Sequence, residues 1–409
     1  MTAGRSPRIT SATSSAPRTS WRARGRSSRS ATRSGPAASR AKGVLPRSWR
    51  RADSRSAPAV RPGAQLADSD TSARRSTRSN AMTYTAPTDR FRFDALRGGV
   101  EGRRVLITGA GKDGGIGQAM ALSTGLNGAE SVGIHFHRSY EDGFDLVDRL
   151  RDEGVHAFPV QADVTNLRDL WAIRSYVIDQ MGGLPPNLVI CNSGLTESGY
   201  NLGRTLRPVE GESSSLRRAR VRQAFIENLE QSRLVLDTKV DGFLASTHLW
   251  AGEAVYAGEQ AQIVYVSSRQ AVDPGPAVPG YALSNWAVLQ LPKVLKVNLG
   301  RSADLVTCFT LLLPFVRTGM TNEYAGNERV FGRWQPRMLE PCEMAEAFME
   351  LLSRPTDETD GAMYELMVNA AAETDPVGPP AVELVWHQLA LNLDEQPVDW
   401  SAADPLRFA

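Results

Sequence analysis

With 409 residues the chain can hold one large domain or two ordinary ones, and its 41% hydrophobic content is ample for a buried core. Its net charge of +2 hides an asymmetry, because residues 1–81 carry 18 Lys and Arg against 3 Asp and Glu, whereas residues 82–409 carry 29 against 42. The acidic part argues against a nucleic-acid partner, the three scattered cysteines against a disulfide framework or a zinc site, and the lack of an apolar run near the roughly 18 residues of a membrane span against an embedded protein.

A reduced, cytoplasmic and soluble setting without a metal is therefore the expectation. Residues 1–81 are built from Ser, Arg, Ala, Pro and Gly, with almost no Leu, Ile or Phe. Such a segment cannot bury enough apolar surface to offset its conformational entropy, which predicts a disordered leader. An Arg-rich, acid-poor leader also suits an organellar transit peptide or a basic arm. The simplest reading makes Met82 the working start, downstream of an over-extended reading frame.

From residue 103 strands and helices alternate. RRVLITGAG (103–111) reads as a strand entering a glycine turn, GIGQAMALSTGLNGA (115–129) as a helix, SVGIHFH (131–137) as a strand and EDGFDLVDRLRDEG (141–154) as an amphipathic helix. HAFPVQADV, a helix near 166–182, NLVICNSG (187–194), AQIVYVSS and LVTCFTLLLP continue the alternation. Strands separated by helices predict an α/β, Rossmann-type doubly wound parallel sheet, with ligands at the carboxyl ends of the strands. One catalytic domain, about 100–370, is expected to carry an insertion near 195–235. A Pro-rich tail, 371–409, would follow and pack on the domain or on a neighbour.

The turn TGAGKDGGIG (108–117) follows a strand and opens a helix. Backbone N–H groups and the helix dipole can hold a pyrophosphate there, which makes Gly109, Gly115, Ile116 and Gly117 candidate cofactor contacts. Lys112 lies inside the loop, and Arg138 and Ser139 follow the second strand, where an acid would otherwise take a ribose 2′-hydroxyl. A cation and a hydroxyl suit a 2′-phosphate, so NADPH is expected over NADH. Asp163 with Val164 after the third strand, and Asn192 with Gly194 after the fourth, complete the dinucleotide set.

In this order the motifs resemble the short-chain dehydrogenase/reductase family over about residues 103–368. TGAGKDGGIG stands for its glycine turn with two extra residues and CNSG for its NNAG. Ser268 and Tyr281 keep its spacing of thirteen, and PFVRT stands for its PGxVxT segment. The resemblance implies that Thr318 contacts the nicotinamide carboxamide. It also implies that Tyr281 is the acid for a substrate carbonyl, with Ser268 as second donor.

An unperturbed phenol has a pKa near 10, and a nearby cation is needed to favour the phenolate. The family places that Lys four residues after the Tyr, one helical turn on, but here the position is Asn285. Three residues before Gly242, where most of the family has Asn, stands Lys239. This exchange resembles the ketoreductase domains of modular polyketide synthases and multifunctional fatty-acid synthases, and the extended glycine loop is similar to that of fungal-type fatty-acid synthases. It implies an active tetrad of Lys239, Ser268, Tyr281 and Asn285, with Lys239 lowering the tyrosine pKa.

Between Asn192 and Lys239 lie 46 residues, longer than the family's common length. Val221, Phe225, Leu229 and Leu234 have helical spacing, which predicts that the insertion extends the helix bearing Lys239. Arg217, Arg218, Arg220 and Arg222 could meet the phosphopantetheine or acidic surface of a carrier protein, or form a solvated face. Lys293 and Lys296 are expected on the surface, Trp286 in the core, His135 and His137 as structural or near the adenosine, and 319–340 as a lid. The expected activity is NADPH-dependent reduction of a β-ketoacyl thioester or polyketide-like ketone, free or carrier-bound, by a chain that can form a dimer or tetramer. Non-redox chemistry on the same tetrad, or an NADP-binding scaffold, are the alternatives.

Overall fold

The computed structural model describes residues 87–197, 199–275, 277–321, 338–370 and 382–389. The expected leader, most of the expected lid and the rest of the tail lie outside them.

Eight strands form one sheet in the order β3-β2-β1-β4-β5-β6-β7-β8. They are β1 (Arg104–Ile107), β2 (Ser131–Phe136), β3 (Ala157–Gln161), β4 (Leu188–Cys191), β5 (Ala261–Ser268), β6 (Val306–Leu313), β7 (Met363–Ala370) and β8 (Val382–Gln388). All neighbours are parallel except β7 and β8. The helices are α1 (Ile116–Leu126), α2 (Tyr140–Asp152), α3 (Leu167–Gln180), α4 (Leu202–Thr205), α5 (Ser214–Leu236), α6 (Gly242–Ala257), α7 (Pro279–Val288), α8 (Leu291–Leu299), α9 (Pro341–Leu352) and α10 (Thr356–Thr359).

The strands read as continuous apolar runs because both faces are covered. Val105, Ile107, Leu188, Ile190, Val264 and Val266 join α1, α2 and α9 in one core. Their neighbours in sequence, Leu106, Val189, Cys191, Ile263 and Tyr265, join α3, α6, α7 and α8 in a second, as the alternation of side chains along a strand requires. Strand order reverses between β1 and β4, which opens a crevice at their carboxyl ends.

Part of the expected tail packs on the domain, and it does so as a strand. MYELMVNA forms β7, and part of the segment read as tail, VELVWHQ, pairs with it as the antiparallel edge strand β8. Trp386 anchors that strand by donating its indole N–H to the Ala347 carbonyl.

The insertion does form a long helix, α5, which runs through a π-helical turn, Asp237–Asp241, into α6. Its apolar spacing does not mark a buried face, however. Phe225, Leu229 and Leu234 are exposed, and the residues that α5 buries are Ser232 and Val235. Trp286 is likewise 43% exposed rather than in the core. Lys293 is exposed as expected. Lys296 is partly buried instead, pairing with Asp360 at 2.6 Å and donating to the carbonyls of Ala303 and Val306.

Candidate active site

The glycine turn sits at the crevice between β1 and β4. Gly109 has φ +67°, and a Cβ there would stand 2.8 Å from the Ser193 backbone. A Cβ on Gly117 would stand 2.6 Å from both Asn192 Nδ2 and the Gly109 carbonyl. Any side chain would fill this cradle, and no side chain caps α1, so the first N–H groups of the helix face the turn. These features fit a dinucleotide pyrophosphate.

Hydrogen bonds hold the cradle in shape. Thr108 Oγ1 accepts from the backbone N–H groups of Asn192 and Ser193, and Asn192 Nδ2 donates to the carbonyls of Thr108 and Gly109. The buried His135 accepts the Gly109 N–H on Nδ1 at 3.2 Å. Burial pushes its pKa down to about 4, so the ring is neutral and can serve as an acceptor. Its role was not legible in sequence, where a histidine on a strand carries no signal of what it holds.

The other predicted cofactor residues lie along the same rim. Arg138 is exposed and Ser139 half-buried at the start of α2. Asp163 accepts from the backbone and side chain of Thr165 and lies 3.8 Å from His137. Burial alone would raise its pKa, but the Thr165 hydrogen bonds and the charges of His137 and Arg138 outweigh it and hold the carboxyl below its ordinary value. The Val164 side chain is buried and packs on Gly242. Lys112 reaches over Gly319, beside the buried Thr318, which brings the glycine turn and the segment after β6 together.

Ser268 ends β5, and its Oγ accepts from Gln270 N–H, which leaves the hydroxyl proton to donate. Tyr281 lies in the first turn of α7. Burial raises its phenol above the ordinary value, while hydrogen bonds with Ser268 and Asn285 pull it down. Asn285 is fully buried and donates Nδ2 to the Tyr281 carbonyl, while its Oδ1 has no partner among the described residues. Ser268, Tyr281 and Asn285 thus converge.

Lys239 projects from the π-helical turn, a distortion that often marks functional sites. It is only 5% exposed, and its Nζ lies over the Phe243 ring at 4.8 Å and beside Gly194. Burial lowers its pKa to about 7. The sequence leads one to expect an ammonium holding the phenol down. In the structure burial raises the phenol, and the Lys239 amine lies beside Gly194 and the Phe243 ring.

The four insertion arginines divide into two sets. Arg220 is tied to Glu212 and to the Thr205 and Arg207 carbonyls, and so staples the insertion. Arg217, which also donates to the Leu206 carbonyl, joins Arg218 and Arg222 along a cleft of about 600 Å³ with Leu202, Leu206 and Phe225. The three cysteines are buried thiols, and burial raises Cys191 and Cys308 to about 12. No described cluster of His, Cys, Asp and Glu could hold a metal, and no described helix is long and apolar enough to cross a membrane.

Comparison with known proteins agrees with this layout. The versicolorin reductase stcU of Emericella nidulans is 31% identical over 101 residues, 25% of this chain and 36% of that protein, so the match spans little more than a third of the relative. A 3-oxoacyl-[acyl-carrier protein] reductase with bound NAD from Brucella melitensis shares the fold, with TM-score 0.50, 23% identity, 69% of this chain and 94% of that one. A gluconate 5-dehydrogenase from Burkholderia cenocepacia in complex with NADP and tartrate does so with TM-score 0.51, 20% identity, 68% and 96%. The family signature described as short chain dehydrogenase matches residues 103–329, more than half of the sequence. The chain is therefore a member of the short-chain dehydrogenase/reductase family of oxidoreductases.

Proposed function

We propose that the chain is an NADPH-dependent ketoreductase that reduces a β-ketoacyl thioester or polyketide-like ketone to the alcohol. The observation that carries this reading is the convergence of Ser268, Tyr281 and Asn285 on one side of a glycine cradle, with a buried lysine beside it. The bound dinucleotide would supply the hydride. Gly109, Gly115, Ile116 and Gly117 would hold its pyrophosphate, Asn192 and Gly194 would line its path, and Thr318 would meet the carboxamide. Arg138, Ser139 and Lys112 would favour a 2′-phosphate, because a cation and a hydroxyl match that group. The two solved relatives carry NAD and NADP respectively, so the preference rests on these side chains.

Tyr281 would protonate the carbonyl oxygen, and Ser268 would donate the second hydrogen bond to it. Lys239, with its pKa near 7, exists in both protonation states near neutral pH, which suits it to resupply that proton. The orphan Oδ1 of Asn285 would accept from Lys239 or from a water on the route.

The substrate class draws support from the names of the relatives, versicolorin reductase and 3-oxoacyl-[acyl-carrier protein] reductase. It also draws on the cleft of Arg217, Arg218 and Arg222, whose charge and apolar floor suit a carrier-bound phosphopantetheine thioester. Exposed Leu283 and Trp286 on α7 and Val294 and Val297 on α8 favour a dimer or tetramer, and three buried free thiols suit the cytoplasm. The test is oxidation of NADPH and of NADH by the full chain with a simple β-ketoacyl thioester. Activity with NADPH that Tyr281→Phe and Lys239→Ala both abolish is the expected result. Undiminished turnover in Tyr281→Phe would overturn the mechanism, and a failure to oxidise NADPH across a panel of ketones would overturn the activity.

A further inference from the structure

Helix α7 begins without a cap of its own. Its N-cap residue, Val278, offers no side-chain acceptor, and Pro279 fills the first position. The orphan donors that a cap must satisfy are therefore the N–H groups of Gly280 and Tyr281, at the second and third positions. A carboxylate from elsewhere in the chain takes both. Glu197, 1% exposed in the loop after β4, accepts from Gly280 N at 2.5 Å on Oε1 and from Tyr281 N at 3.1 Å on Oε2. Oε1 also accepts from the Ser232 hydroxyl of α5 at 3.0 Å.

The packing around this group is tight. A Cβ on Gly280 would stand 2.5 Å from Glu197 Oε1 and 2.8 Å from Ser232, so only glycine admits the contact. A negative charge at a helix N-terminus is also favoured by the helix dipole. Three residues before Glu197 the same loop passes Gly194, against Lys239 Nζ. One buried carboxylate therefore joins the strand-end loop, the insertion helix and the backbone of the tyrosine itself.

We infer that Glu197 is a positioning residue for Tyr281, a remote cap that fixes the depth and tilt at which α7 presents the phenol to Ser268. The inference rests on the reading of Tyr281 as the catalytic acid. A carboxylate is required because two N–H groups and a hydroxyl need acceptors on both oxygens. In Glu197→Gln the amide NH₂ would face either the Tyr281 or the Gly280 N–H whichever way it turned, so that variant should rescue only in part.

The experiment compares the full-length wild type with Glu197→Gln, Glu197→Ala, Ser232→Ala and Tyr281→Phe. It follows kcat and KM for NADPH and the thioester, the pH profile of kcat, and amide hydrogen exchange at Gly280 and Tyr281. The expected result is a kcat at least tenfold lower in Glu197→Ala, with KM for NADPH within twofold and a displaced pH profile. Glu197→Gln should be intermediate, and exchange at the two amides should be faster in both. If Tyr281→Phe abolishes turnover while Glu197→Ala keeps kcat and pH profile unchanged, the inference fails alone. A parallel loss of kcat and NADPH affinity in Glu197→Ala would reduce the residue to general stability and also overturn it. If instead Tyr281→Phe is fully active, or the wild type oxidises no NADPH, the catalytic reading fails. Amide exchange then decides whether Glu197 holds the backbone of Tyr281, and wild-type protection in Glu197→Ala overturns the placement.

Discussion

Lys239 puts a sharp conflict between stability and function within reach of measurement. The side chain is 5% exposed, and burial lowers its pKa from 10.5 to about 7. Because the folded pKa lies below the unfolded one, folding is penalised wherever the unfolded chain holds the extra proton. The penalty is complete below about pH 7 and vanishes as pH rises through 10.5. At about 1.4 kcal/mol per pH unit the full penalty is on the order of 5 kcal/mol. Lys239→Met keeps the length of the side chain over the Phe243 ring and removes the charge. It should raise the unfolding free energy at pH 7 by about 1–4 kcal/mol, the range seen when buried charges give way to apolar groups. Urea unfolding of both proteins at pH 7, 8 and 9 measures this, and the gap should narrow steadily with pH. In the same preparation NADPH oxidation should fall at least a hundredfold, on the order of what a positioned proton donor contributes. A methionine variant less stable than wild type at pH 7, or a gap that ignores pH, would refute a buried, destabilised amine.

Three further outcomes follow from the cradle. His135 accepts the Gly109 N–H as a neutral ring with a pKa near 4, so its share of stability is lost as pH falls from about 6.5 toward 4, by about 2 kcal/mol at pH 5. His135→Asn offers an acceptor that does not titrate, and its melting midpoint should drop less between pH 7 and 5; equal drops would exclude the ring as the cause. Gly117→Ala forces a methyl to 2.6 Å from Asn192 Nδ2 and the Gly109 carbonyl, at about 1–3 kcal/mol. Calorimetric titration should show dinucleotide affinity at least tenfold weaker, and an unchanged Kd would mean the cradle can yield. Arg138→Ala should lower the ratio of kcat/KM for NADPH over NADH roughly tenfold, the worth of one charge-assisted hydrogen bond. A ratio that stays put would assign the 2′-phosphate to other groups.

The parallel sheet was legible because its strands are buried on both faces and read as unbroken apolar runs between glycines and helices, from Val105 to Leu313. The edge was not. β7 mixes Tyr364, Glu365 and Met367 into its run, and β8 is embedded in a Pro-rich segment. β8 is the outermost strand, with no neighbour on one side, and such a strand gives a weaker apolar signal. The same cause misled the reading of α5. Apolar residues at helical spacing correctly announce a helix, but Phe225, Leu229 and Leu234 point away from the domain, and periodicity cannot tell which face meets a neighbour.

At the site, sequence revealed residue identity far better than residue state. Spacing singles out Ser268, Tyr281 and Asn285, and the structure brings these three together because one strand end and one helix turn fix their separation. The state of Tyr281 and Lys239 depends instead on burial, a property of the whole packed domain. Burial moves both groups away from charge, raising the phenol and lowering the amine. Displaced in this way from ordinary values of 10.0 and 10.5, the two move apart in proton affinity, so that a Lys239 ammonium becomes the stronger acid and passing its proton to a Tyr281 phenolate runs downhill. On the proposed reading, a lysine on the π-helical turn rather than on α7 would serve the tyrosine as a proton source. The buried Asn285 Oδ1, without a partner among the described residues, is an acceptor that such a route could use.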